Sequence, residues 1–206
     1  MMQGFLARVL SVMVIAAAIP VACWAQAVPG QAAPALSLAD VNGRTVNLAD
    51  FRGKHVVVEW NNPNCPFVRK HYDSGNMQGL QKKLAAPDLV WLTVNSTANG
   101  HSDYMPPQAL AGWLKKAGAT PTAVLMDADG KAGRNYGART TPHMYVIDPQ
   151  GRVAYAGAID DKRSANPADA KTARNYVTQA MSELRAGKPV SVASTVPYGC
   201  SVKYQD

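Results

Sequence analysis

A cysteine followed at once by a proline, Cys65-Pro66, stands where an apolar run, "HVVVEW", gives way to "NNPNCPFVRKHY". The run is near-continuous in hydrophobicity, as expected for a central strand covered on both faces. Proline is favoured in the first turn of a helix, so a helix is expected to start at Pro66. Cys65 then sits at the helix N-terminus, among backbone N–H groups that have no partner within the helix and at the positive end of its dipole. Both features favour a thiolate, the form in which cysteine attacks an electrophile. The ordinary alternative is a buried structural cysteine. The strand–Cys-Pro–helix setting points instead to a nucleophile.

The elements that must position Cys65 can be read from the rest of the chain. Asn42-Gly43 is a hairpin signal between two short extended pieces. Asp73-Ser74-Gly75-Asn76 interrupts the helix begun at Pro66, and "MQGLQKKLA" continues it with Met77, Leu80 and Leu84 on one face. "LVWLTVNS" is the next strand. "PPQALAGWLKKAG" is a short helix with Leu110, Trp113 and Leu114 as its apolar stripe. "TAVLMD" is a strand, followed by a turn at Asp129-Gly130. "HMYVIDPQGRVAYAGAI" reads as a β-hairpin. A last helix is expected from near Pro167 to Gly187, burying Ala173, Val177, Ala180, Met181 and Leu184. Alternation of this kind makes an α/β domain with a partly parallel sheet, the final hairpin adding antiparallel strands at one edge.

The 206 residues suffice for one domain with a real core. Residues 1–27 have the layout of a secretory signal peptide: Arg8, an apolar stretch from Val9 to Ala22, then Ala25-Gln26-Ala27 with cleavage after Ala27. The apolar core is shorter than the roughly 20 residues that span a bilayer. Cys23 raises lipidation, but Pro20 stands where such sites want a large aliphatic residue. Residues 28–36 read as a linker, 37–187 as the folded domain and 188–206 as a C-terminal tail. No later segment is apolar enough to cross a membrane, so a periplasmic or secreted protein is expected, in a compartment that permits disulfides. Signal cleavage leaves two cysteines, Cys65 and Cys200, an even pair. The formal charge of +7 comes from scattered basic residues without a phosphate-binding patch, which argues against nucleic acid as a partner.

From about Pro34 to Ile159 the chain resembles the thioredoxin-like superfamily, and within it the peroxiredoxin-like (alkyl hydroperoxide reductase/thiol-specific antioxidant, or redoxin) family. The resemblance rests on "SLADVNGRTVNLADFRGKHVVVEW", Cys65-Pro66 and "TTPHMYVIDPQGRVAYAG". It implies a thioredoxin-like α/β fold, a central mixed sheet flanked by helices. It also implies a cis-proline loop, here Thr141-Pro142, facing the reactive cysteine and offering backbone hydrogen bonds to a bound peptide. Glu59 matches the buried carboxylate position of thioredoxins, where a carboxylate takes and returns the thiol proton. Arg139 is a candidate to stabilise a thiolate or a peroxide oxygen. Arg69, Lys70 and His71, a turn or more into the helix, are expected to face solvent and add local positive potential.

Two departures matter. Val68 stands where thioredoxins carry a second cysteine, which removes adjacent-cysteine exchange. Asn62 stands where typical peroxiredoxins carry threonine or serine, though an amide still hydrogen-bonds a peroxide or thiolate. Cys200 is the candidate to replace the missing cysteine, as a resolving thiol that condenses with a sulfenic acid on Cys65. A structural disulfide, worth roughly 4–5 kcal/mol for so long a loop in the chain-entropy model, and two cysteines that never meet are the other options. The expected activity is reduction of a peroxide or a disulfide, with an external thiol reductant and no cofactor. The reading from another class is a copper carrier or binding module using Cys65, His143, Met144 and Cys200. Asp127-Ala128-Asp129-Gly130 lacks the later ligands of a calcium loop and reads as a turn.

Overall fold

The computed structural model describes residues 26–205. Its centre is strand β3 (His55–Trp60), in which every residue is buried. Side chains alternate across a strand. Val57 therefore enters one core, with Trp91 and Met144, while Val56, Val58 and Trp60 enter the core on the other face. Strand β4 (Leu89–Asn95) pairs with β3 in parallel, and β5 (Ala123–Met126) with β4 in parallel. The hairpin of β7 (His143–Ile147) and β8 (Val153–Gly157) joins the other side of β3 antiparallel. Strands β1 (Ser37–Asp40) and β2 (Thr45–Asn47) form the N-terminal hairpin, β1 pairing with β5. The seven-stranded order is β2-β1-β5-β4-β3-β7-β8, the mixed sheet that the alternation of elements implied.

Helix α1 (Pro66–Asp73) stops at Ser74 and Gly75, and α2 (Asn76–Leu84) continues behind the break. With α3 (Pro107–Lys116) and α5 (Tyr176–Arg185) they cover the Val57 face. Leu110 and Leu114 are buried as the stripe on α3 requires, with Trp113 packed at the margin.

The final helix begins later than its sequence suggested. Pro167–Lys171 is a separate 3-10 turn, and α5 starts only after Asn175, whose side chain accepts from Thr178 N at 2.8 Å. Ala173 consequently lies outside the helix, while Val177, Ala180 and Met181 are buried. A further helix, α4 (Lys131–Tyr136), covers the opposite face of the sheet. Asp127 builds its start, both carboxylate oxygens accepting from Ala132 and Gly133 N–H groups. That accounts for the turn that superficially resembled a calcium loop.

The segment expected to be a linker is docked. Gly30 N donates to Val153 O and Ala33 N to Gly151 O, and Leu36 is buried. The expected signal segment, with Cys23, lies outside the described residues except for its end, where Ala27 packs into the second core. No helix of the described residues is long and apolar enough to cross a membrane. The tail is docked as well. Thr195 N donates to Ala156 O, Val202 N to Arg139 O, and Ala98 N to Lys203 O. A two-residue strand, β9 (Cys200–Ser201), pairs antiparallel with β6 (Thr140–Thr141).

Candidate active site

Cys65 is the N-cap of α1, in extended conformation, and Pro66 is the first helical residue, as their order in the sequence implied. No side chain caps the helix start. The preceding loop is held by Asn62, whose carbonyl accepts from Cys65 N at 3.0 Å. The Asn62 side chain is occupied within the same loop: Oδ1 accepts from Asn64 N and Nδ2 donates to Asp103. Asn62 therefore shapes the turn that presents Cys65, with one N–H of its amide engaged by Asp103.

Opposite the cysteine lies the Thr141-Pro142 loop, and that peptide bond is cis. Thr141 O stands 3.0 Å from Cys65 Sγ. The register of β6 with β9 puts Thr141 opposite Cys200. The two sulfurs are 2.6 Å apart across 135 residues of chain, and Cys200 N donates to Cys65 Sγ at 3.4 Å. Both cysteines are free. Cys65 is only 1% exposed, while Cys200 is half-buried. Burial, and then the neighbouring Cys65 sulfur, push the Cys200 thiol up to about 12, so Cys200 holds its proton at neutral pH. Of the three options open to the pair, the juxtaposed sulfurs leave out only the one in which the cysteines never meet.

The backbone edge of Thr140-Thr141, expected to receive a bound peptide, is filled by the chain's own tail. Thr141 Oγ1 is buried and has no hydrogen-bond partner among the described residues.

Glu59 is fully buried beneath α1 and receives four hydrogen bonds, from Asn61 Nδ2, Tyr72 OH, Trp91 Nε1 and Thr93 Oγ1. Burial raises its pKa and the four donors counter part of that rise. Its hydrogen-bonding capacity is spent on these partners, none of which is Cys65. Arg139 is exposed. Among the described residues no hydrogen bond or ion pair joins its guanidinium to Cys65. Its charge adds to the burial that lowers His143 to about 3. His143 Nδ1 faces Arg139 N and Tyr145 OH, and Met144 is packed in the core. Among the described residues no group of three or more His, Cys, Asp and Glu side chains could hold a metal ion.

Lys70 and His71 correct the sequence reading most sharply. Both are buried, at 1% and 0% exposure; only Arg69 of the trio faces solvent. Lys70 Nζ contacts Asp160 at 3.3 Å and donates to Lys162 O and to Tyr198 OH. Lysine seldom lies fully buried unless paired. The pairing partners arrive from a loop 90 residues away and from the tail, which no local pattern reveals. Val68, in place of a second cysteine, fills the core beside Cys65.

A mixed sheet with a cysteine capping the first helix and a cis-proline facing it defines a thioredoxin-like protein. The AhpC/TSA family profile matches residues 29–156, and the chain belongs to that family. No curated protein matches it. Among solved structures it is similar to an uncharacterized conserved protein from Geobacillus kaustophilus, with 24% identity and TM-score 0.76, over 87% of this chain and 94% of that one. The pneumococcal exposed lipoprotein thioredoxin from Streptococcus pneumoniae is 25% identical at TM-score 0.52, over 73% of this chain and 99% of that one. The thioredoxin domain of a thiol-disulfide oxidoreductase from Bacteroides vulgatus is 22% identical at TM-score 0.50, over 63% and 87%.

Proposed function

We propose that the protein is an exported thiol-dependent peroxidase in which Cys65 is the nucleophile and Cys200 the resolving thiol. The observation that carries this reading is the 2.6 Å separation of the two sulfurs. In the first step the Cys65 thiolate attacks one oxygen of a hydroperoxide. The O–O bond breaks, hydroxyl passes to the sulfur to make a sulfenic acid, and the departing alkoxide or hydroxide takes up the proton that Cys65 released on ionising and leaves as alcohol or water. In the second step the Cys200 sulfur attacks that sulfenic sulfur. A Cys65–Cys200 disulfide forms, and the hydroxyl departs as water with the proton that Cys200 held. An external dithiol then reduces the disulfide and is itself oxidised. Exchange depends on access to sulfur, and the half-buried Cys200 is the more open end for that reductant. The burial of Cys65 under the tail favours a small oxidant over a protein disulfide. Asn62 and Pro66 act by fixing the loop and helix start. Export follows from the signal-like N-terminus and agrees with a site built to cycle through a disulfide.

Intact mass with thiol alkylation, before and after a brief peroxide pulse, tests this. The expected result is loss of both free thiols, with a Cys65–Cys200 disulfide in the peptide map. Cys200→Ser should stop at an oxidised Cys65, and Cys65→Ser should not react. Two thiols that stay free through the pulse overturn the reading.

Thiol–disulfide exchange with a protein partner is the second reading. It is favoured by likeness to a solved thioredoxin, and it requires the tail to leave the Thr140-Thr141 edge. Reduction of a protein disulfide at a rate exceeding peroxide turnover would put it first. Activity that survives Cys65→Ser would favour a binding or copper-carrying role.

A further inference from the structure

We propose that Lys70, Asp160 and Tyr198 form a buried latch, and that with Gly199 it is the positioning device that sets Cys200 against Cys65. The inference rests on the proposed pairing of the two thiols. Tyr198, two residues before Cys200, is buried in the core that also holds Cys65. Its hydroxyl donates to Asp160 Oδ1 and accepts from Lys70 Nζ at 3.1 Å. His71 Nε2 lies 3.3 Å from the same oxygen, while its Nδ1 faces Asn76 Nδ2 at 2.8 Å. A neutral His71 with its proton on Nε2 satisfies both contacts. The Tyr198 ring packs edge-on against Phe67, with centroids 5.9 Å apart. Phe67, Lys70 and His71 all belong to α1, the helix that Cys65 caps. One rigid element therefore carries the nucleophile and also grips the strand that carries its partner.

Gly199 supplies the close approach. Its φ is +139°, and a Cβ there would fall 2.0 Å from Thr141 O and 2.7 Å from Thr141 C. Only glycine lets the tail backbone come this near to the cis-proline loop. Net stability is a weak explanation for the ion pair, since buried pairs often lose as much in desolvation as they gain by attraction. Fixing the register of an otherwise irregular tail is a role that a buried, directional pair fills well.

The test is the equilibrium of the Cys65–Cys200 disulfide in glutathione buffers, read by alkylation and intact mass. It does not depend on any peroxide reaction, so a protein that ignores peroxide can still reveal the latch. Tyr198→Phe keeps the ring and removes the hydroxyl. Gly199→Ala leaves the ion pair intact and blocks the backbone approach. Tyr198→Phe should shift the equilibrium toward the dithiol by roughly 10-fold or more, the scale of a lost hydrogen bond to a charged partner, and Gly199→Ala should shift it in the same direction by moving Cys200 away, while circular dichroism stays native in both. Val196→Ala, at a side chain exposed to 64%, should leave it unchanged. Wild-type equilibria in both folded variants would overturn the latch. So would an equal shift in Val196→Ala, which would mean that any change in the tail suffices.

Discussion

Glu59 shows how a side chain can match a catalytic position and still be spent on structure. Its two oxygens collect four donors, from α1, from β4 and from Asn61 just past the end of β3. In Glu59→Gln one oxygen becomes an amide nitrogen, which leaves donors facing donors. Unsatisfied buried groups cost about 1–3 kcal/mol each, so urea unfolding should show a loss of about 2–4 kcal/mol. The rate of Cys65 oxidation in the folded protein should be unchanged. A collapsed rate with stability retained would place this carboxyl in the proton path after all. At the same scale, Lys70 and Arg69 are adjacent cations with opposite fates. Helical geometry turns successive side chains by about 100°, and only the Lys70 direction meets Asp160 and Tyr198.

Among the elements, the tail departs most from its expected form. It was legible as a segment after the last helix, but nothing in "VPYGCSVKY" announces a strand. β9 has two residues and exists because Thr140-Thr141 offers it an edge. Forming the Cys65–Cys200 disulfide should tighten this pairing. Hydrogen exchange should therefore show the amides of Val202 and its β9 neighbours slower in the oxidised protein than in the reduced one, with β3 amides alike in both. Equal tail exchange in the two states would mean that β9 is held independently of the thiols. The late start of α5 has a local cause, the Asn175 cap. Asn175→Ala should cost about 1 kcal/mol, seen as a lower melting temperature without change at Cys65. Helix α4 escaped the sequence reading because six residues containing Gly133 are too few to display a periodic face.

For the molecule as a whole, two buried histidines set the response to acid. Burial lowers His71 and His143 to about 3 each. In the unfolded chain each would titrate near 6.5. As pH falls from about 6.5 the unfolded state binds protons that the folded state refuses, so stability drops, at up to about 1.4 kcal/mol per pH unit per histidine. The raised carboxyls of Glu59 and Asp127 act in the opposite sense, because their folded forms take up protons first. The urea midpoint should nevertheless fall between pH 7 and pH 5. A folded His143→Gln variant should show a shallower slope, and an unchanged slope would remove His143 from the account.

The sequence alone determined the sheet, the helix start at Pro66, the cysteine that caps it and the family to which the chain belongs. The first three depend on local rules, hydrophobic period and the placement of proline and glycine, and the family on the resemblance carried by its short motifs. Tertiary structure alone decided that Cys65 and Cys200 meet, that the tail closes the Thr141 edge and that Lys70 is buried. These depend on contacts between residues far apart in the chain. Residue type and spacing do not encode which distant partner will offset the cost of burying a charge or ordering a tail.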